Sequence, residues 1–314
     1  MDRALTRFQG SMLILLAGTV FSLGPLTFRA LLEADDWQYL FYRSLSAAVV
    51  ATLTITVFGR NPIRSILEAG PRQAVAGLVL GSCFVLFILS LSRATAAFVL
   101  LLQCTAPFVA AILARVFLRE RVQRDTVAAM LVASVGVAIM VGGGLDGGDR
   151  IGVLLALLLP VFLGGYTVLI RSSPARDPGV PIVIGGFAVA VVAGLVSLGG
   201  AGLDLPIRDV AMGCIGGGLL IGLGAPLFSY AHRFVPPAET SLLLISEIVL
   251  APLWLWAWPG EVPSASTLIG GGVALSAVVW LTVRAAVREN STRPRWSHGL
   301  HAGAVAAEPG HPDR

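Results

Sequence analysis

Apolar runs of about twenty residues follow one another along almost the whole chain, and this succession leaves few folds open. A run of that length crosses a hydrocarbon core of about 30 Å as a helix. In lipid, only helices and closed barrels satisfy their own backbone polar groups. Here the runs are continuous, without the apolar–polar alternation of barrel strands. Ten spans are expected, near residues 10–30, 37–58, 72–92, 94–118, 124–143, 151–170, 180–200, 210–231, 237–258 and 265–286. Their links are short, which makes consecutive helices antiparallel neighbours. Composition agrees. Only 13% of residues are charged and the mean hydropathy is +0.84, where a soluble domain would hold about 25% charged residues. The expected fold is an all-α polytopic membrane protein.

The first run follows Arg3 and Arg7 and imitates a signal peptide. It continues to about Ala30 without a small-residue cleavage site, so it is expected to stay as the first helix. From residue 288 the chain turns polar and rich in Pro, Gly and His, and a disordered tail over 288–314 is expected.

All 22 basic residues are arginine. The sequence pI near 9.4 would suit a nucleic-acid binder, but the arginine positions explain it as membrane orientation, and no nucleic-acid partner is expected. With the N-terminus in the cytoplasm, 17 arginines fall in inner segments and the tail, against four (Arg29, Arg93, Arg150, Arg208) in outer loops. The outer loops gather acids instead, among them Glu33, Asp35, Asp149 and Asp209. The positive-inside rule therefore puts both termini in the cytoplasm of a multi-pass protein of the plasma or inner membrane.

The chain also repeats itself at an offset of 141 residues. Ala238, Leu242, Leu243, Ala251 and Glu261 fall on Ala97, Leu101, Leu102, Ala110 and Glu120. Gly77 and Gly81 fall on Gly218 and Gly222, so a GxxxG spacing, which lets two helices approach closely in lipid, recurs in register. Two five-helix repeats follow, over 8–143 and 149–287. An odd number of spans forces the second to insert inverted, an architecture that places a site between the repeats at the midplane.

With these residues in view, the chain resembles the EamA type of the drug/metabolite transporter superfamily. The likeness is carried by TAPFVAAILARVFLRER (Thr105 to Arg121), SEIVLAPLWLWAWPGE (Ser246 to Glu261) and FYRSLSA (Phe41 to Ala47). It implies ten helices in a five-plus-five repeat and transport of small organic solutes, and it leaves the substrate open. The family's ninth helix often reads Glu-Pro, whereas Ile248 follows Glu247 here and the proline stands at Pro252.

Symmetry separates scaffold from site. Glu120/Glu261, Gly77/Gly218 and Gly81/Gly222 occur in both halves and are expected to serve the shared fold. Glu247, Arg43 and Gln103 map to Ala106, Ile184 and Leu244 and have no counterpart, which suits an asymmetric ligand. An ionised carboxylate at mid-membrane costs roughly 2.5–3.5 kcal/mol on insertion scales, so Glu247 must face a cavity or a partner. It could bind a substrate amine or exchange a proton; the alternative is a structural acid paired with an arginine. Arg43 lies about 9 Å inward from Trp37 at 1.5 Å per residue. Tyr39 and Ser46 share its helical face, and that face is expected to look toward water or a ligand. Arg43 could hold a carboxylate or phosphate through its planar fork, or else snorkel to the surface or pair with Glu247. Gln103 offers a cavity hydrogen bond or interhelical glue. Pro107 and Pro252 are expected to kink their helices, and Trp254, Trp256 and Trp258 to form an outer aromatic belt. Tyr166, Tyr230 and His232 are expected to anchor the inner interface. Cys83, Cys104 and Cys214 sit in apolar runs as small hydrophobes without metal-ligand spacing, and no metal or cofactor is expected.

The function these residues favour is secondary active transport of a small organic metabolite, an amino acid or drug-like solute, by alternating access, proton-coupled or by exchange, with export ahead of import. No GxxxxGK[ST] loop is present for ATP hydrolysis. A non-transporting receptor or scaffold is the alternative. An embedded enzyme is disfavoured, because HExxH, GxSxG and acidic-cluster motifs are missing. Small-molecule substrate and lipid bilayer are the partners. The oligomeric state stays open, because the glycine-rich faces are needed within one chain.

Overall fold

The computed structural model describes residues 7–120, 122–142, 149–172, 177–231, 235 and 237–292. Its elements are helical throughout: α1 (Arg7–Phe21), α2 (Gly24–Arg29), α3 (Asp36–Val57), α4 (Pro62–Leu91), α5 (Ala96–Gln103), α6 (Ala106–Phe117), α7 (Arg124–Gly142), α8 (Arg150–Ser172), α9 (Val180–Leu198), α10 (Ile207–Cys214), a π-helical segment (Ile215–Leu223), α11 (Gly224–Ala231), α12 (Pro237–Ala257) and α13 (Ala265–Thr292). Among the described residues, eight helices or helix pairs are long and apolar enough to cross a membrane, and Ser246–Ala257 of α12 forms a shorter apolar stretch.

Three expected spans are interrupted. The first breaks at Ser22 and Leu23, the fourth at Cys104 and Thr105, and in each case a proline (Pro25, Pro107) occupies the first turn of the next helix. Proline lacks the N–H that would continue the ladder, so the helix ends just before it and restarts. The eighth span, expected as one helix over 210–231, passes through the π segment, whose IGGGLLIGL sequence carries four glycines. By contrast α12 runs through Pro252 and α8 through Pro160 without a break. Gly70, at φ 75°, divides α4 into a short first part and the apolar part from Pro71 onward. Helix α13 continues to Thr292, into the stretch expected as tail. Residues 293–314 lie outside the described residues.

Packing pairs α3 with α9 and α7 with α13; α4 lies on α9 and α8, and the π segment on α3, while α1 packs on α11 and α12. Small residues decide these crossings. A Cβ added at Gly81 would sit 2.9 Å from the Gly185 carbonyl oxygen, and one at Gly222 would sit 2.9 Å from that of Ala47. The two GxxxG pairs thus mark two helix contacts, α4 against α9 and the π segment against α3. At Gly217 the chain runs so close to the Arg43 carbonyl that no Cβ would fit. The offset of 141 residues carries α3 onto α9 and the apolar part of α4 onto the π segment and α11, so each of these contacts has a counterpart.

The two ends of the bundle are laced differently. At the end bearing Glu261, the Asp209 carboxylate accepts from the backbone N–H groups of Leu32, Glu33 and Ala34, and the Tyr42 hydroxyl donates to the Leu203 carbonyl. At the end bearing Glu120, Asp177 accepts from Arg60 and Ser65, and Asp125 pairs with Arg284.

Candidate functional site

A cavity of about 270 Å³ lies at the centre of the bundle, and Arg43, Gln103 and Glu247 all line it. Three different helices bring them there. Arg43 comes from α3, Gln103 ends α5 at the proline-induced break, and Glu247 stands midway along α12. Phe84 and Phe87, a turn apart on α4, and Leu159 and Leu163 on α8 form apolar wall; Gly216 and Leu220 of the π segment complete another side. Cys83 also faces the cavity, whereas Cys104 is buried away from it and Cys214 is exposed, unlike the buried position expected.

Arg43 neither snorkels nor pairs with Glu247. It is 6% exposed, and its Nη1 has no hydrogen-bond partner among the described residues. Its guanidinium instead lies 5.1 Å from the Phe84 ring centre and 5.9 Å from that of Phe87. Ring faces attract a cation but accept few of its N–H groups. The Tyr39 hydroxyl is the guanidinium's polar neighbour, and the donors of Nη1 are left unpaired among the described residues. Glu247 has no ion pair or hydrogen bond among the described residues. Its intermediate exposure comes from facing the cavity. An acid, a cation and an amide thus converge on one mostly apolar space, unspent on one another.

Tyr39 and Ser46 do not themselves line this cavity, although Tyr39 lies against Arg43, which does. Tyr39 is 1% exposed and shares a 2.7 Å hydrogen bond with Thr27 of α2, and Ser46 donates to the Arg43 carbonyl at 3.0 Å. Around Tyr39 this face of α3 is covered by Thr27 of α2, and around Ser46 by the glycines of the π segment. The Phe84–Phe87 wall was missed from sequence, although its three-residue spacing, on a helix pairing with Arg43's, was a readable signal.

The duplicated glutamates sit at opposite ends. Glu261 accepts from Arg29 Nε at 2.9 Å and from the backbone N–H of Ala96 at 2.5 Å, while Arg29 also donates to the Ala94 carbonyl. It therefore ties the end of α2 to the start of α5. Glu120 accepts twice from Arg171, at 2.8 and 3.1 Å. Both belong to scaffold contacts rather than to the cavity. Trp254 donates to Ser22 at the first helix break, and Trp256 and Trp258 are exposed. Side chains of Tyr230 and His232 lie outside the described residues; Tyr166 stands on α8. Among the described residues no three His, Cys, Asp or Glu side chains cluster as metal ligands.

Comparison with known proteins gives this arrangement a context. The model of the EamA-like transporter family matches residues 8–142 and again 150–283. The pseudopaline exporter CntI of Pseudomonas aeruginosa is 25% identical over 286 residues, covering 87% of this chain and 96% of its own. The uncharacterized transporter YdfC of Bacillus subtilis is 27% identical over 211 residues, 63% of this chain and 67% of its own. A probable terminal-alkyne amino-acid exporter of Streptantibioticus cattleyicolor is 27% identical over 202 residues, 59% of this chain and 63% of its own. A solved crystal structure, 17% identical, superposes with a TM-score of 0.64 and covers 90% of this chain and 100% of that one, a likeness of fold. The matched family model spans nearly all the apolar chain: this protein is a membrane transporter of the EamA-like family.

Proposed function

We propose that the protein is a secondary active exporter of a small zwitterionic metabolite. The observation that carries this reading is the pairing of roles in one cavity. Arg43 presents unspent donors at one place and Glu247 an unspent carboxylate at another, with apolar walls between them. A carboxylate on Arg43 and an ammonium on Glu247 would neutralise both buried charges together, which offsets the penalty of keeping either unpaired in a low-dielectric space. The cavity's size suits a solute of amino-acid scale. Export is favoured because two relatives bear exporter names.

In this reading the chain crosses the membrane ten times as two inverted five-helix repeats, 8–143 and 149–287, with both termini in the cytoplasm and the Glu261 end outside. The paired contacts, α4 on α9 and the π segment on α3, support an approximate twofold axis through the cavity. Alternating access then rocks one set of helices against the other around the fixed charges. Glu247 is the coupling group. Empty, it takes a proton to avoid a bare buried charge; loaded, it gives the proton up to hold the substrate's ammonium, so proton and solute occupy it in turn.

The test compares metabolites outside cells making the wild type or Glu247→Gln at equal membrane levels. A zwitterion enriched outside with the wild type alone is the expected result. Enrichment unchanged in the variant would remove Glu247 from the mechanism.

A further inference from the structure

A second hollow, about 530 Å³, opens where the first apolar turn of α4 meets the ends of α6 and α8. Its floor is apolar, with Leu113 and Phe117 of α6 and Val168 and Leu169 of α8, but Arg72 and Ser172 stand at its rim. Arg72 is exposed and has no ion pair or hydrogen bond among the described residues. It follows the Gly70–Pro71 bend, where α4 turns from its short first part into the apolar part. That short part exposes Ile63 and Leu67, one turn apart, at 69% and 78%. An exposed apolar pair on a helix whose Arg64 and Glu68 pair with each other at 2.6 Å suits the headgroup boundary of a bilayer, which sets Arg72 at headgroup depth.

The hollow lies between the repeats, with Arg72 and α6 from the first and α8 from the second, and the position equivalent to Arg72 is built differently. The 141-residue offset carries Arg72 to Gly213, where an added Cβ would lie 2.8 Å from Tyr42 Cβ. The counterpart is therefore filled by protein and uncharged. By contrast, a Cβ at Gly165 in the hollow meets only Leu113 Cδ1, at 4.0 Å. An open apolar trough with Arg72, unpaired among the described residues, at its rim is built for an amphiphile with an anionic head.

We infer that this hollow is a binding site for an anionic phospholipid, with the phosphate on Arg72 and an acyl chain along α6 and α8. The bilayer supplies the chain, and arginine at headgroup depth supplies the selectivity. The site is independent of the transport cavity and of what that cavity carries.

The experiment uses purified full-length protein in a neutral detergent and counts retained lipid by native mass spectrometry, with phosphatidylglycerol and phosphatidylcholine offered together. The wild type should retain phosphatidylglycerol about fivefold over phosphatidylcholine, the factor one arginine near an anionic headgroup contributes. Arg72→Gln should bring that ratio to about one, and Gly165→Leu, which fills the trough, should lower retention of both lipids. Equal retention by the wild type, or a preference that survives Arg72→Gln, would overturn the site. Competition by free glycerol phosphate as strong as by the lipid would also overturn it, because it would reduce the site to an anion contact.

Discussion

Glu247 and Glu261 lie fourteen residues apart, on one helix and just beyond its end, yet they meet opposite surroundings. Glu261 is enclosed by Arg29 and the Ala96 N–H and joins two other parts of the chain. Glu247 reaches none of the described residues by ion pair or hydrogen bond and looks into the cavity. Glu261 has a counterpart in the other repeat, and Glu247 has none. For these two acids duplication and partnership go together: the repeated carboxylate has its partners in the fold, and the unrepeated one has none among the described residues. Glu120 refines the point, because it pairs with Arg171 at roughly half exposure for both side chains, against 15% for Glu261 and 24% for Arg29. The same sequence position makes a buried clasp at one end and a solvated one at the other.

The contrast is sharpest in the largest expected effect. Glu247→Gln should cut transport at least tenfold in proteoliposomes while leaving the unfolding temperature close to that of the wild type, since the amide has the size and neutrality of the protonated acid in the empty cavity. A variant that unfolds early instead would make Glu247 a scaffold residue like Glu261. Next in size, Glu261→Ala leaves Arg29 and the Ala96 N–H without their acceptor and should cost about 2–3 kcal/mol, read as a lower midpoint of thermal unfolding in detergent. An unchanged midpoint would mean that the clasp adds nothing.

Acid should act first on the same end of the molecule. Burial pushes the Asp209 carboxyl up, but three backbone N–H bonds and the nearby Arg208 outweigh it and hold the group below its ordinary value. A depressed carboxylate stabilises the fold fully above the unfolded value of about 3.9, and that contribution disappears as pH falls through the lower folded value. Asp209→Asn should therefore lower the unfolding midpoint at pH 7, by about 1–2 kcal/mol, and the gap from the wild type should close below pH 4. A gap that does not narrow at all as pH falls below 4 would contradict the assigned cause. The smallest effect is expected for Glu120→Gln, under about 1 kcal/mol, as for other exposed pairs. A loss as large as that of Glu261→Ala would erase the distinction between the two ends.

Much of this was legible in the chain. Apolar length gave the helices, and the offset of 141 residues singled out Gly77, Gly81, Gly218 and Gly222, which lie in close helix contacts. The same offset separated Glu247, Arg43 and Gln103 from their surroundings, and those three line one cavity. What escaped was local geometry. Helical periodicity placed Tyr39 and Ser46 beside Arg43, but it could not register that α2 would break away at Pro25 and cover that face. Nor did it anticipate the π segment, since a run of glycines sets no preference between α and π turns. Phe84 and Phe87 read as generic apolar wall until Arg43 was seen lying over their rings.

The most direct test of the paired-charge cavity measures thermal stabilisation of purified protein by three probes: an apolar amino acid, its methyl ester and its N-acetyl derivative. The wild type should be stabilised most by the free amino acid. Arg43→Gln should lose its preference for the free acid over the ester, and Glu247→Gln its preference for the free amine over the N-acetyl form. Equal stabilisation by all three probes, or loss of both preferences in each variant, would contradict the assignment of one charge to each end of the solute.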